Sequence, residues 1–531
     1  MRAMTVGAAL DDAVARDTVF LHDGDDTITF REFGELADRV AGGLLARGIR
    51  RGDRIGLLGL NTPQWLAAFF GAARIGAVIV PLNVRYRERE LSHMLGQSGA
   101  RMVISVDATP DFDFAAFFKE FQAQVPGVSD YVFFGGGDAG GGDAGGGGGG
   151  QAGSFDALTA TPADPTALAA ASRAVGPADP LVILYTSGTT GRPKGATITH
   201  RSILASASAQ ADHLGMNDGD VLLGHLPFNH VGGITCTVMA ALVCGGSVAL
   251  LPAFSPDAAL RAIERHKVTF LGAVPTMYVL MLGRKDFADH DVSSVRMCTA
   301  GGSNVEPALA DAIRRGFPGA PLYGLYGLSE CSGACVLSRT DDDPETVSRT
   351  LGVMIGDFEA RVVGPDGTVL PPGETGELQV RGDCVVAGYW ELPAETAEVF
   401  LPDGWLATGD MVTMEKDGHL VLRGRKKEMY IQGGFNVYPV EIENVLATHP
   451  KVAMAAGIGV PDEVLGEVGR FYVVPRPEAE PPTAEELTAY CRDRLADYKV
   501  PRQFVITVEV PLTPVGKIHK ALLKERYESD R

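Results

Sequence analysis

Cysteine and positive charge are both in short supply in this chain. Its seven cysteines are scattered, with no CxxC pair and no histidine-rich cluster beside them, which predicts reduced thiols in a cytoplasmic protein. Lys and Arg number 47 against 66 Asp and Glu, giving a net charge of −19, which disfavours nucleic-acid binding by bulk electrostatics. A site for an anionic ligand must therefore concentrate positive charge locally.

Long apolar runs are nearly absent as well. The exception is the uncharged stretch Ile234–Leu251, which is long enough to be checked as a membrane span. Gly245 and Gly246 interrupt it, so we predict a buried helix followed by a buried strand and no membrane span. The N-terminal residues lead into Asp11 and Asp12 without a sustained apolar core, so we expect no signal peptide.

A length of 531 residues predicts two or more domains, and 45% apolar with 21% charged residues is ordinary for a soluble globular enzyme. Residues 135–153, the glycine-rich stretch, are nearly all Gly, Asp and Ala. Such a segment cannot bury enough apolar surface to offset its ordering, so we predict a disordered loop. Because Tyr131–Phe134 and Pro180–Leu184 on either side look like strands of one domain, the loop does not mark a domain boundary.

Helices and strands alternate in the first part of the chain. The predicted elements are a helix over Phe30–Gly48, a strand over Arg54–Leu60, a helix over Pro63–Ile75 and a strand over Ala77–Val80. This alternation is typical of an α/β sheet covered on both faces, which places ligands at its strand ends. Beyond Arg349, short strands and Gly/Pro turns predict a small β subdomain, and the residues from Val440 onward predict a small α+β domain.

The most informative stretch is Tyr185-Thr-Ser-Gly-Thr-Thr-Gly-Arg-Pro-Lys-Gly195. Its glycines, hydroxyls and Lys194 predict a phosphate cradle, between strands at Leu181–Leu184 and Ala196–His200. It differs from the common nucleotide loop because Gly195 follows the lysine, where a metal-binding hydroxyl is expected. A second candidate is Glu330, a carboxylate after the predicted strand Pro321–Gly327, although such an acid alone also fits a solvated or capping residue.

The cradle resembles the signature loop of the adenylate-forming superfamily, which contains acyl-CoA synthetases, luciferases and adenylation domains. Four further stretches, in the expected order along nearly the whole chain, resemble other elements of that family: Tyr326-Gly-Leu-Ser-Glu330, Ala407-Thr-Gly-Asp410, Gly424-Arg425 and Pro514-Val-Gly-Lys517. Jointly they are far more specific than singly. The resemblance implies an α/β fold with a large N-terminal adenylation domain (1–424) of α/β subdomains plus a small β-barrel-like subdomain. A small mobile α+β C-terminal domain (425–531) would follow, hinged at Lys427.

The resemblance also implies the cofactors ATP, Mg²⁺ and CoA and a set of binding residues. Those for the nucleotide are Thr186, Ser187, Gly188, Thr189, Thr190, Lys194, Gly302, Ser303, Tyr326, Gly327, Ser329, Asp410 and Arg425. In this set Thr186 and Glu330 would share the Mg²⁺, a hard cation that prefers oxygen ligands. Tyr326 would stack on adenine, and Asp410 would accept the ribose hydroxyls. Taken singly, these residues fit a core tyrosine and a turn aspartate equally well.

The implied catalytic residues are Lys517, Glu330, Thr186 and His230. Lys517 would neutralise charge while a carboxylate attacks the α-phosphate of ATP. Rotation of the C-terminal domain would then withdraw the lysine and bring Gly433 and Gly434 to the site, where the missing side chains let pantetheine pass.

Substrate identity is less constrained. Pro227–Gly233, with His230, resembles the acyl-pocket element of the family, and Phe228, Val231 and Met277 suggest an apolar acyl group. Asn229 is suited to a ring hydroxyl. We therefore interpret the chain as an ATP-dependent acid–CoA ligase for a fatty or other hydrophobic carboxylic acid.

The main alternative is a stand-alone adenylation enzyme that loads an acyl or aryl acid onto a carrier protein. A nucleotide-binding regulatory protein with a decayed site is a second alternative, which the sequence disfavours because every expected phosphate, metal and lysine position is filled. Phe435 follows the two glycines at a position where an acidic or polar residue is more usual in the family. The effect of this phenylalanine on the tunnel for the CoA thiol stays open. The sequence does not determine the oligomeric state, so a homo-oligomer also stays open.

Overall fold

The structure is a computed structural model that describes residues 5–135, 151–161, 164–186, 193–302, 305, 307–477, 479–512 and 518–529. Several predicted residues lie outside these ranges: Ser187, Gly188, Thr189, Thr190, Ser303 and Lys517, together with 136–150 of the glycine-rich stretch. Within the described ranges, no helix combines the length and apolarity that crossing a membrane requires.

The largest element is a nine-stranded sheet that is parallel in its centre and antiparallel at both ends. A parallel centre requires crossover connections, which helices provide here as the alternation in the sequence predicts. In spatial order its strands are Val353–Met354, Gly333–Leu337, Leu322–Leu328, Met297–Gly301, Phe270–Ala273, Val221–Gly224, Ser247–Leu250, Val19–Asp23 and Asp26–Thr29.

A seven-stranded sheet forms the second layer. In spatial order its strands are Lys194–Thr199, Pro180–Thr186, Val78–Leu82, Arg54–Leu58, Ala100–Ser105, Asp130–Phe133 and Gln151–Ser154. The strands on either side of the glycine-rich stretch, Asp130–Phe133 and Pro180–Thr186, share this sheet. A separate two-stranded hairpin joins Ala108–Thr109 to Phe112–Asp113.

The predicted end of the disordered loop at residue 153 is wrong. Gln151–Ser154 is a strand that pairs in parallel with Asp130–Phe133. The physical reason lies just downstream, where Ser154 caps the helix Phe155–Ala160 and Phe155 and Leu158 are buried. Anchoring that helix holds the preceding residues at the sheet edge, an effect that composition alone does not reveal.

Helices cover both sheets, and several begin at the residues that the sequence indicates. Thr29 and Glu32 form a capping box at one helix, and Thr62 caps another that has Pro63 in its first turn. The N-terminal helices are Val6–Val14, Phe30–Ala46, Pro63–Arg74, Glu88–Ser98, Phe114–Phe121, Phe155–Ala160, Pro165–Arg173, His200–His213, Val231–Gly233, Ala240–Cys244, Pro256–His266, Pro275–Leu282, Pro307–Gly316, Pro344–Arg349 and Pro393–Val399.

The uncharged stretch Ile234–Leu251 is a buried helix followed by a strand, as predicted. Its first part, Ile234–Met239, is a π-helix that continues into Ala240–Cys244, and Ser247–Leu250 is a central strand of the large sheet. π-Helical turns are rare and often lie at functional sites. Its apolar side chains are buried in the hydrophobic core.

Two smaller sheets follow. The predicted small β subdomain is a four-stranded antiparallel sheet of Glu359–Val363, Thr375–Arg381, Leu406–Met414 and Leu420–Arg425. The C-terminal sheet contains Phe435–Val437, Tyr430–Gln432, Gly466–Pro475, Val452–Asp462 and Gln503–Ile506, and its helices are Pro439–Ala447, Ala484–Arg492 and Lys520–Ser529.

One buried cation fastens the last helix to the start of the C-terminal sheet. Lys520 Nζ lies 2.8 Å from Glu428 Oε2 and 2.8 Å from Glu443 Oε1. Burial favours a lower pKa for Lys520, but the carboxylates of Glu443 and Glu428 raise it overall, so the ammonium stays charged. The helix that follows the predicted lysine loop is therefore ion-paired to the residue next to Lys427.

Because two histidines of the N-terminal domain, His200 and His225, are buried, we expect acid to lower the stability of this domain. Burial lowers the pKa of His200 and of His225 to about 4, against about 6.5 in an unfolded chain. Between pH 6.5 and 4 the unfolded chain therefore binds more protons, so their contribution to stability is intact above pH 6.5 and falls as pH drops through this window. We expect the melting temperature of His225→Asn to change less than that of the wild type between pH 7 and 5. Equal changes would contradict this account.

Candidate active site

The two ends of the predicted phosphate cradle lie side by side. Pro180–Thr186 and Lys194–Thr199 form an antiparallel pair in which Thr186 lies opposite Lys194. This confirms that the loop joins two strands. The pairing is tight at Gly195, where a Cβ atom would meet Ile183 Cγ2 at 2.5 Å. A glycine is therefore required next to the lysine.

A second group of predicted residues meets around Asp410. The Tyr326 hydroxyl donates to Asp410 Oδ2 at 2.6 Å, and Arg425 Nε lies 2.8 Å from Asp410 Oδ1. The Asp410 side chain is 2% exposed, whereas that of Arg425 is 41% exposed. Burial and the Asp410 carboxylate raise the pKa of Tyr326 well above its usual value, so its hydroxyl stays a donor. Adjacent strands explain the contact, because Asp410 lies opposite Arg425 in the ladder.

A cavity of about 710 Å³ brings together most of the predicted catalytic and binding residues that the structure describes. The predicted residues in its wall are Thr186, Lys194, His230, Gly302, Gly327, Ser329, Glu330, Arg425 and Lys427. Residues of both sheets and of the small β subdomain thus surround one space. His519, two residues after Lys517, also lies in the wall, so the C-terminal domain closes one side of the cavity.

The predicted acyl-pocket element Pro227–Gly233 also contributes to the cavity wall. Asn229, His230 and Val231 line the cavity there, together with Gly272 and Thr299 from two strands of the large sheet. The Nδ1 atom of His230 accepts a hydrogen bond from the Gly232 amide at 3.1 Å, which fixes the imidazole at the start of a short helix. The wall continues into the π-helix at Cys236, whose thiol pKa burial raises to about 12. A thiol in that state is a neutral, weakly polar surface.

Two predicted wall residues lie elsewhere. Phe228 is buried in the core, where its ring lies 5.5 Å from that of Trp65 between centroids, and Met277 packs against the core under the large sheet. Neither belongs to the cavity wall. The sequence could not settle this, because the directions that Phe228, in an irregular segment, and Met277, in the helix Pro275–Leu282, face depend on tertiary packing.

Gly433 and Gly434 lie outside this cavity wall. They form the turn between Tyr430–Gln432 and Phe435–Val437, with φ of +58° and +87°. Two consecutive positive φ values favour glycine strongly. The aromatic ring of Phe435 stacks on that of Tyr498 at 4.5 Å between centroids. In this conformation His519 of the C-terminal domain, and not the glycine turn, borders the cavity.

Tyr389 is a cavity residue that sequence reasoning missed. Its hydroxyl donates to Glu330 Oε1 at 2.9 Å, and Lys194 Nζ lies 5.3 Å from the centroid of its ring. The sequence offers one weak signal, a tyrosine after Gly388 in a turn-rich segment. That signal does not identify a partner.

One other cluster has the composition of a cation site. Ligand atoms of Glu415, Asp417 and His419 lie within 4.8 Å of one another. His419 Nδ1 lies 2.9 Å from Asp417 Oδ2 and its Nε2 lies 2.9 Å from Asp342 Oδ1, while Glu415 is ion-paired with Arg349. Because protein groups already engage these atoms, the cluster is interpreted as an ion-paired turn of the β subdomain.

Comparison with known proteins assigns most of the chain to two family models. The model described as AMP-binding enzyme matches residues 10–390, and that described as AMP-binding enzyme C-terminal domain matches residues 441–517. Feruloyl-CoA synthase of an Amycolatopsis species is 36% identical over 508 residues, covering 95% of each chain. The mitochondrial medium-chain acyl-CoA ligase ACSF2 of Danio rerio is 34% identical over 523 residues, covering 96% of this chain and 85% of its own.

A solved structure has the same fold over nearly the whole length. The anthranilate CoA ligase AuaEII in complex with anthranoyl-AMP superposes with a TM-score of 0.86 at 26% identity, covering 99% of this chain and 98% of the other. The three relatives are named for different acids. Similarity at this level therefore identifies the reaction without specifying the acid.

Proposed function

Because this chain belongs to the adenylate-forming AMP-binding enzyme family and is an ATP-dependent acid–CoA ligase that uses Mg²⁺, we propose that its substrate is a hydrophobic carboxylic acid. The observation that carries the proposal is the cavity, which extends from Thr186 and Glu330 to a wall of small and apolar residues. That wall includes Val231, Leu226, Phe270, Gly272, Ala273 and Val274. A pocket of this composition favours a fatty or aromatic acyl group over a charged one.

The first half-reaction joins the acid to AMP. The substrate carboxylate attacks the α-phosphate of ATP, pyrophosphate leaves, and an acyl-adenylate forms. We assign Lys194 to the phosphates, Arg425 and Asp410 to the ribose, and Tyr326 to the adenine. A hydroxyl and a carboxylate in one wall suit a hard cation, so Thr186 and Glu330 are proposed to hold Mg²⁺, which neutralises phosphate charge when bound.

Charge that develops on the phosphate oxygens needs a cation that arrives with the C-terminal domain. We assign this role to Lys517. The position of His519 in the cavity wall supports the assignment, since only one residue separates the two in the chain. We assign His230, which lines the cavity next to Asn229 and Val231, to the acyl end, where its imidazole would border the substrate carboxylate.

The second half-reaction transfers the acyl group to CoA and releases AMP. We propose that the C-terminal domain rotates about Lys427, which withdraws Lys517 and brings Gly433 and Gly434 to the cavity. The flanking contacts support this position for the hinge. On one side the Lys426 amide donates to the Gly409 carbonyl at 2.9 Å, and on the other Glu428 is ion-paired with Lys520.

The test is pyrophosphate release with a panel of acids, in the presence and absence of CoA. Straight-chain, aryl and dicarboxylic acids of matched size separate apolar from charged acyl groups. We expect fatty or aryl acids to be activated and converted to thioesters with CoA, with kcat/KM at least tenfold above that for dicarboxylic acids, because a second carboxylate loses its hydration in an apolar pocket. Preference for the dicarboxylic acids would contradict the proposed substrate class while leaving the ligase reaction intact.

A further inference from the structure

Tyr389 lies between the two charged groups that the proposed function assigns to the nucleotide phosphates and the metal. Its hydroxyl donates to Glu330 Oε1 at 2.9 Å. Its ring lies near the Lys194 ammonium, with Nζ 5.3 Å from the ring centroid, within the range of a cation–π contact. All three side chains border the same cavity. One residue thus contacts the cationic and the anionic side of the site.

The backbone around Tyr389 ties the same two elements together. In the segment 386–390 the Ala387 amide donates to the Thr197 carbonyl, the Thr197 amide to the Gly388 carbonyl, and the Trp390 amide to the Gly195 carbonyl, at 2.8 to 3.0 Å. The Val386 amide donates to the Glu330 carbonyl at 3.0 Å. The segment therefore pairs with the free edge of the strand Lys194–Thr199. It is also hydrogen-bonded to the turn that carries Glu330.

The hydroxyl of Tyr389 is the donor in its contact with Glu330, because a carboxylate oxygen can only accept a hydrogen bond. A neutral phenol that donates to one carboxylate oxygen sets the direction of the other oxygen. Because hydrogen bonds to charged groups are among the stronger ones, this contact restricts the rotation of Glu330 before any ligand arrives.

We propose that Tyr389 is a positioning residue that orients the Glu330 carboxylate for Mg²⁺ and the Lys194 ammonium for the phosphates of ATP. This rests on the proposed function, in which Glu330 and Thr186 hold the metal. Tyr389 itself takes no part in bond making. Its effect is to fix the spacing between a negative and a positive group that must bind the two halves of one Mg²⁺–nucleotide complex.

The test separates the hydroxyl from the ring with Tyr389→Phe and Tyr389→Leu. Binding of ATP is measured by calorimetry without acid, at a series of Mg²⁺ concentrations. For Tyr389→Phe we expect the Mg²⁺ concentration that gives half of the maximal ATP affinity to rise about tenfold or more, with affinity at saturating Mg²⁺ little changed. For Tyr389→Leu we expect affinity at saturating Mg²⁺ to fall as well, because Lys194 loses the ring.

Two further variants serve as references. Glu330→Gln removes the proposed metal ligand and should raise the Mg²⁺ requirement at least as much as Tyr389→Phe. Tyr490→Phe removes a tyrosine hydroxyl outside the cavity wall, where it is hydrogen-bonded to Thr448 in the C-terminal domain, and should bind Mg²⁺ and ATP as the wild type does. The melting temperature of each variant is measured in parallel.

The outcomes distinguish the inference from the function on which it rests. A raised Mg²⁺ requirement in both Glu330→Gln and Tyr389→Phe supports the inference. If only Glu330→Gln shows it, or if Tyr389→Phe lowers the melting temperature without moving the Mg²⁺ midpoint, Tyr389 is a structural residue and the inference is overturned. If neither variant changes the Mg²⁺ requirement, the proposed metal site itself is wrong.

Discussion

Replacing Lys517 by alanine is expected to reduce acyl-adenylate formation by a hundredfold or more while leaving thioester synthesis from supplied acyl-adenylate largely intact. The physical reason is that charge builds on phosphate oxygens only in the first half-reaction. Loss of one preorganised cation or donor typically raises a barrier by about 3 kcal/mol or more, on the order of a hundredfold in rate. The measurement is pyrophosphate release for the first step and thioester formation from synthetic acyl-adenylate for the second.

The matched control for this prediction is Lys524→Ala. Lys524 is exposed on the helix Lys520–Ser529, so its removal deletes a lysine of the same domain without touching the cavity. Both half-reactions should proceed at the wild-type rate in that variant. An equal loss of both half-reactions in Lys517→Ala would contradict the domain-rotation account, because it would mean that the lysine acts throughout.

Replacing Lys427 by proline is expected to impair the second half-reaction and to spare the first, the reverse of the effect expected for Lys517→Ala. If this residue is the hinge, its backbone angles must differ between the two arrangements, and proline fixes φ near −65°. The structure has the lysine side of the C-terminal domain at the cavity, through His519. Lys427→Pro should therefore retain exchange of pyrophosphate into ATP and lose CoA thioester formation by about a hundredfold.

Lys427→Ala is the control for loss of the side-chain charge, because it keeps the backbone free. We expect this substitution to change the rates of pyrophosphate exchange and of thioester formation only slightly. Thioester formation at the wild-type rate in Lys427→Pro would contradict the hinge assignment. Lys427 would then be an ordinary surface lysine beside Arg425. Loss of both half-reactions in the proline variant would instead indicate damage to the cavity wall, of which Lys427 is part.

The parts of this molecule that the sequence predicts are those set by local patterns. Turn residues between two short apolar runs identified the paired strands on either side of the cradle, and the strand before Glu330 followed from its apolar run. The glycine pair inside Ile234–Leu251 separated helix from strand for the same reason. In each case the neighbours in the chain carry the information.

The parts that escaped prediction depend on contacts between distant segments. Tyr389 reaches Glu330 only because the segment 386–390 adds to the edge of the Lys194 strand. The side chain of Phe228 lies in the core because its ring packs against that of Trp65. Gln151–Ser154 becomes a strand because the helix after it is buried. No periodicity in the chain encodes such pairings.

The two ion pairs of Lys520 connect the helix Lys520–Ser529 to the proposed hinge. Glu428 adjoins the proposed pivot at Lys427, and Lys520 holds the helix that follows Lys517 against it with two carboxylates. If Lys427 is the pivot, as we propose, these ion pairs would make the helix Lys520–Ser529 move together with residue 428 when the backbone at 427 rotates. Removing the Lys520 ammonium would then be expected to let that helix move independently of the pivot, without changing any residue of the cavity wall.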